Sequence, residues 1–298
     1  MGKSRYRLAM DRCEKNLTGI SEIAKTKSGD IEYSIYGEGA PVLIAHGNGG
    51  GFDQGRLIAE SFMGSGFRSI CVSRFGYLGT PLPEGMNASS AAQADAYASL
   101  LDALEIPKAA IAGFSDGGPS VLQFAKRHPG RCTAIIMLSA KSHTPPPDTL
   151  LQRIVFNTIF HSNFLFWHIT DKFKSFLLLM FGISAEVQKK LSAEDMRLAE
   201  KTMEIMHPIK LRRNGIYNDR KQLSVLPPEE YALHTIKIPA LVVHAADDGL
   251  QPVSHGQNTA DGIPGARFLK LAESGHLLSG HMDEVKRAVT GFLEQHKA

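Results

Sequence analysis

Ser115 lies at the apex of Gly113-Phe-Ser-Asp-Gly117, between the apolar run Ala109 to Ala112 and a stretch, Pro119 to Arg127, with helical apolar spacing. A serine on a sharp strand-to-helix turn adopts a strained backbone, and the residues two positions away on each side come so close that only a very small side chain fits. Gly113 and Gly117 meet that demand. Pro119 falls in the first helical turn, where a missing N–H costs little. The hydroxyl therefore stands at a helix N-terminus, whose free N–H groups and dipole favour negative charge. A bare Gly-x-Ser-x-Gly is common, but the strand before it and the helix after it make Ser115 a candidate nucleophile.

A serine hydroxyl is a weak nucleophile at neutral pH and needs a base to take its proton and an acid to orient that base. Ala240 to Val243 is an apolar strand candidate that runs through His244 into a loop with two carboxylates, Asp247 and Asp248. Ala266 to Leu271 leads in the same way into a loop carrying His276. The order is Ser, Asp, His, each just after a strand.

The elements that must position these groups alternate. Gly29 to Tyr36 alternates as a half-buried strand, and Val42 to Ala45, Ser69 to Val72, Ala109 to Ala112, Ala134 to Leu138 and Ala240 to Val243 are short apolar runs of the kind covered on both faces. Helical stretches lie between and after them: Phe52 to Met63, Ser89 to Leu104, Pro119 to Arg127, Ser254 to Thr259 and Asp283 to Gln295. Such alternation predicts an α/β fold with a mostly parallel, doubly wound sheet, in which chemistry gathers at the carboxyl ends of the strands. One interval breaks the rhythm. From Lys141 to Ile236 the pattern is helical, opening with Pro145-Pro-Pro147 and closing near Pro227-Pro228, and a structureless loop of that length would be out of place in a compact domain. The expected organisation is a leader over 1–25, a core over 26–140 and 237–298, and an inserted helical cap over 141–236.

At this point the chain resembles the α/β-hydrolase superfamily from about Gly29 to the C-terminus. The resemblance rests on His46-Gly-Asn-Gly-Gly-Gly51, Ser73-Arg-Phe-Gly-Tyr-Leu-Gly-Thr80, the Gly113 to Gly117 elbow, the Asp248 loop and Ser274-Gly-His276. The cap position and the Gly-Phe-Ser-Asp-Gly-Gly wording are similar to small serine esterases and lipase-like members, and to their carbon–carbon hydrolase and perhydrolase relatives. The resemblance implies a triad of Ser115, Asp248 and His276 and no cofactor. Asp248 is preferred as the acid because the family's acid lies four residues before a proline, here Pro252; Asp247 is the alternative, otherwise a turn or capping residue. It further implies an oxyanion hole made by the backbone amides of Asn48 and Asp116. Many relatives carry an Asp where Ser73 stands.

Other residues have plainer readings. His46 props its loop, His244 packs on its strand, His281 is structural, and His128, His207, His255 and His296 default to the surface or to caps. His143, His161 and His168 are candidates to line the cap, with no spacing that suggests a metal. Phe75 and Tyr77 are pocket walls or core. The cap aromatics Phe156, Phe160, Phe164, Phe166, Trp167, Phe173, Phe176 and Phe181 either line an acyl pocket or pack the cap on the sheet. The Asp116 side chain, beginning beside the oxyanion hole, would favour a cationic substrate unless it turns into a cap.

Composition bounds the function. Over 298 residues, 43% apolar and 21% charged residues suit one globular unit, and a net charge of +3 with no basic stripe argues against nucleic acid. Cys13, Cys71 and Cys132 imply neither a disulfide framework nor zinc and point to a reducing cytoplasm. No uncharged run reaches the ~20 apolar residues of a spanning helix, so stable membrane insertion is not expected. The expected activity is hydrolysis of a small or medium carboxylic ester through an acyl-enzyme. The alternatives are carbon–carbon cleavage or perhydrolysis on the same scaffold, or a small-molecule receptor that does not turn over.

Overall fold

The computed structural model describes residues 4–83, 88–147, 149–173, 175, 178–179 and 183–297. A helix, α1 (Arg5–Leu17), precedes the strands β1 (Glu22–Thr26), β2 (Gly29–Tyr36) and β3 (Ala40–Ala45). The chain continues through α2 (Phe52–Phe62), β4 (Phe67–Val72), α3 (Ser90–Ala103), β5 (Ala109–Phe114), α4 (Gly118–Arg127) and β6 (Cys132–Leu138). Between β6 and the next strand lie α5 (Leu150–Ile159), α6 (Asn163–Lys172), α7 (Ala185–Lys190), α8 (Ala193–Ile205), α9 (Arg213–Gln222) and α10 (Pro228–Tyr231). The last part is β7 (Ala240–Ala245), α11 (Ser254–Gly262), β8 (Arg267–Leu271) and α12 (Met282–His296).

The eight strands form one sheet in the order β1-β2-β4-β3-β5-β6-β7-β8. β1 and β2, and β2 and β4, pair antiparallel, and every pairing from β4 to β8 is parallel. The apolar runs read from the sequence occupy this parallel part, and β5 and β7 are buried at every position. Two large apolar clusters form the core: one includes Ile111, Ile135, Tyr97 and Phe124, the other Val42, Ile136, Phe62 and Phe292. Helices thus cover both faces, as a doubly wound sheet requires.

The stretch read as a polar leader holds two elements. β1 pairs with β2 in register Glu22↔Tyr33 to Thr26↔Gly29, so the sheet begins inside it. α1 buries Met10 and Cys13 and sets Tyr6 edge-on to Phe164 and Trp167 of α6, with ring centroids 5.3 and 5.5 Å apart. Periodicity was hard to see there because the helix is largely polar and β1 is an edge strand with no buried residue. Residues 185–205 hold two helices, α7 and α8, and Ser192 caps α8 in a reciprocal box with Asp195.

Two buried ion pairs tie the helices inserted between β6 and β7 to the loops at the sheet's carboxyl edge. Arg74, after β4, makes a bidentate pair with Asp219 of α9 at 2.8 and 2.6 Å, and Tyr77 Oη donates to the same carboxylate at 2.6 Å. Arg212, fully buried, donates to Asp53 of α2 at 3.0 and 2.6 Å and to the Gly50 carbonyl at 2.7 Å. Removing one partner of such a pair leaves an uncompensated buried charge. Asp219→Ala should therefore lower unfolding free energy by about 3–5 kcal/mol in a urea titration, whereas Arg74→Met with Asp219→Leu should recover most of that loss.

Candidate active site

Ser115 follows the last residue of β5 and begins the short turn into α4. Its φ is +51°, the left-handed conformation that costs a non-glycine residue of order 1–3 kcal/mol. The neighbours hold it there: the Ser115 carbonyl accepts from the amides of Gly118 and, at 3.0 Å, Lys141. A Cβ on Gly117 would come 2.4 Å from the Ala45 carbonyl oxygen, and one on Gly113 would come 2.9 Å from Val121 Cγ2. Both glycines are therefore fixed by close approach, as the elbow pattern predicted.

The His46 to Gly51 loop lies against this turn. A Cβ on Gly47 would sit 3.0 Å from both Ser115 Cβ and Phe114 Cδ1. Gln54 Oε1 accepts from Gly47 N at 2.8 Å and Arg212 holds the Gly50 carbonyl, so the loop is pinned from both sides. His46 props it, as expected from the sequence: Nε2 accepts from Arg74 N at 3.0 Å. Burial, and then the nearby Arg74 charge, hold its pKa well below the usual histidine range, so this ring is an acceptor and not a proton carrier. Asn48 is at the turn of this loop, half-buried.

On the opposite side, Asp248 and His276 meet. His276 Nδ1 lies 2.8 Å from Asp248 Oδ2, with His276 2% and Asp248 6% exposed. The Phe114 ring packs on the imidazole at 5.1 Å, which places His276 beside the residue preceding Ser115. Burial alone would raise the Asp248 pKa. The His276 imidazole, then the hydrogen bonds from His244, His276 and the Gln251 amide, outweigh it and hold the carboxyl well below the usual carboxylate range. Asp248 Oδ1 accepts from the amides of Leu250 and Gln251 at 2.9 and 2.8 Å.

Asp247 does a different job. Its Oδ1 accepts from Ser274 N and Gly275 N, both at 2.9 Å, and so ties the loop that presents His276 to the loop that presents Asp248. Sequence reading placed it as a turn residue or a rival acid. The bonds it makes are across the loops, 27 and 28 residues away, a distance that spacing along the chain does not reveal.

Asp116 corrects an expectation. Its carboxylate, 2.8 Å from Lys141 Nζ and 3.2 Å from Gln251 Nε2, is already committed, so it does not offer a charge to a cationic substrate. Burial pushes its pKa up, but Lys141 overrides this and the net shift is downward. Other expectations shift as well. His255 is buried rather than at the surface, its Nδ1 accepting from Ser142 N at 3.2 Å while its ring stacks on His143 at 3.7 Å. His207 is buried against Phe166 and bonded to Thr170. Phe75 and Tyr77 are core, and Phe156, Phe160 and Phe166 pack together around Tyr77 and Met206. Phe176 and Phe181 lie outside the described residues. Among the described residues no group of three or more His, Cys, Asp or Glu is placed to hold a metal, and no helix is long and apolar enough to cross a membrane.

Arg212, Asp53, Asp219 and Gln251 were not singled out from the sequence. Each acts through a partner on another element, and nothing in its local pattern announces that.

Comparison with known proteins agrees with the architecture. The profile of the alpha/beta hydrolase fold family matches residues 40–280. An uncharacterized hydrolase, YcgS, of Bacillus subtilis is 29% identical over 281 residues, covering 89% of this chain and 95% of that protein. The 2-hydroxy-6-oxo-6-phenylhexa-2,4-dienoate hydrolase of Comamonas testosteroni is 25% identical, covering 95% of this chain and 98% of its own. Among solved structures, an alpha/beta hydrolase fold protein from Nakamurella multipartita superposes with a TM-score of 0.73 at 27% identity, over 92% of this chain and 98% of that one. The chain belongs to the alpha/beta hydrolase fold family, and the relatives it matches are named as hydrolases.

Proposed function

We propose that this hydrolase cleaves an uncharged carboxylic ester through an acyl-enzyme formed on Ser115. The observation that carries the reading is a serine held at left-handed φ on a glycine elbow, with the preceding Phe114 ring packed on the imidazole of a buried His276–Asp248 pair. In this reading Ser115 Oγ attacks the ester carbonyl carbon while its proton passes to His276 Nε2. The carbonyl oxygen takes the electron pair and is met by the backbone amides of Asn48 and Asp116, each donor contributing about 2.7–4 kcal/mol to the transition state. The C–O bond breaks as the alcohol leaves with the proton from His276. Water then attacks the acyl carbon, His276 again takes the proton, and the acid departs with Ser115 restored. Asp248 keeps Nδ1 as the protonated nitrogen and stabilises the imidazolium in both halves.

The charges around the site support an uncharged acyl group. Among the described residues, three buried cations that touch the elbow or its facing loops are each held by a carboxylate: Lys141 by Asp116, Arg74 by Asp219 and Arg212 by Asp53. The relatives named as dienoate or dienedioate hydrolases act on substrates that carry carboxylates. They favour a second reading, carbon–carbon cleavage next to a ketone, in which the same serine and histidine serve a carbon leaving group.

Ser115→Ala should reduce p-nitrophenyl butyrate turnover to background and end labelling by a fluorophosphonate probe; turnover at the wild-type rate would move the chemistry elsewhere. Asp248→Asn should cost roughly 10⁴-fold in kcat by destroying the imidazole's orientation. Asp247→Asn retains an oxygen that accepts the Ser274 and Gly275 amides and should cost roughly tenfold or less. The reverse ranking would make Asp247 the acid. Across p-nitrophenyl esters, butyrate should exceed the mono-ester of glutaric acid at least about tenfold in kcat/KM, the discrimination set by burying an unpaired carboxylate. Faster loss of the yellow 2-hydroxy-6-oxo-6-phenylhexa-2,4-dienoate chromophore than of any ester would replace the first reading with the second.

A further inference from the structure

The Asp248 carboxylate carries a second imidazole. His244, the fifth residue of β7, has no exposed surface, and its Nε2 lies 2.7 Å from the Gln251 carbonyl oxygen and 3.3 Å from Asp248 Oδ2, the oxygen that also binds His276. Both partners of Nε2 are acceptors, so the ring proton belongs on Nε2. Its Nδ1 is buried without a partner. The ring has little freedom: a Cβ on Gly256 would lie 2.8 to 3.0 Å from it, so α11 packs directly on the imidazole.

We infer that His244 is a positioning residue that sets the basicity of His276 by sharing its Nε2–H between Gln251 and Asp248. Two N–H groups then compete for one carboxylate oxygen. Each bond that Oδ2 accepts from His244 draws charge away from the His276 side, so the carboxylate stabilises the imidazolium form of His276 less. The inference rests on the reading of His276 as the base. Gln251 belongs to the same arrangement, since its amide binds Asp248 Oδ1, its carbonyl takes His244 and its side chain reaches Asp116. Other titratable groups face His244 from each neighbouring element. His276 stands across Asp248, and on α11 His255 stacks against His143. Beyond these lies the Lys141–Asp116 pair, while Lys270, opposite His244 on β8, is exposed.

The test uses the intact chain with ¹⁵N-labelled histidine and p-nitrophenyl butyrate as the kinetic probe. In the wild type His244 should be the Nε2–H tautomer; an Nδ1–H tautomer overturns the inference without any variant being made. His244→Leu should move both the ¹⁵N titration of His276 and the acid limb of kcat/KM to higher pH by roughly half a unit to one unit. His244→Gln, which returns an N–H donor at nearly the same place, should restore both. A merely structural His244 would lower the plateau and leave the limb and the titration where they are, and that outcome overturns the inference. If Ser115→Ala remains active the reading of the site fails, and the His276 titration in the His244 variants still decides the inference.

Discussion

A carboxylate stripped of water at the end of β7 is the constraint around which the site is organised. Asp248 is almost wholly buried, and a charge there persists only if hydrogen-bond donors replace the solvent. Four N–H groups do so: the amides of Leu250 and Gln251 on one oxygen, the rings of His276 and His244 on the other. Three come from its own strand and loop and one from the loop after β8. The adjacent Asp247 secures that second loop by its bonds to Ser274 and Gly275, so two neighbouring aspartates divide the work of holding the imidazole and of holding its backbone.

The nucleophile side is organised by close approach instead of charge. Ser115 keeps its strained φ because Gly117 lets the turn press on Ala45 and Gly47 lets the facing loop press on Ser115. Those contacts join β3 to β5, neighbours in the sheet, and leave no room for a larger residue at either position. The facing loop is in turn held by Arg212 and Arg74, whose carboxylate partners or guanidinium carriers come from the residues between β6 and β7. Any movement of the α9 region must therefore break a buried ion pair or carry the loop with it. The α9 region and the loop facing Ser115 are thus tied together by buried ion pairs.

How far the chain was legible follows from which interactions are local. The elbow, the parallel strands and the order Ser, Asp, His are properties of runs of adjacent residues, and the structure places them where the pattern led. Asp248 is preferred over Asp247 only through the resemblance, in which the acid lies four residues before a proline; His276 Nδ1 lies 2.8 Å from Asp248 Oδ2. What escaped was long-range. Arg212 reads as one more charge in Leu211-Arg-Arg-Asn214, yet it is fully buried because Asp53, 159 residues earlier, meets it. His244 reads as a strand residue that packs, and it does pack, but its Nε2 points along the loop that follows rather than into the apolar layer. Edge elements failed for a related reason: β1 buries no residue, so it leaves no alternation to detect.

Charge pairing is also what separates the two chemistries proposed for this site. An ester and a vinylogous diketone present the same carbonyl to the serine, and the proton traffic through the histidine is the same for both. The difference lies in the rest of the substrate: a dienoate brings a carboxylate whose burial must be compensated. Lys141 touches the elbow through its backbone, its amide bonded to the Ser115 carbonyl. Its ammonium is turned to Asp116, which also takes Gln251, so recruiting it for a substrate carboxylate would strand the Asp116 charge one residue from the nucleophile. In the proposed reaction that cost would fall on the oxyanion, because a freed negative charge beside the Asp116 amide would oppose the negative charge assigned there. The pair is thus more valuable to the reaction intact than opened, and an acyl group without charge leaves it intact.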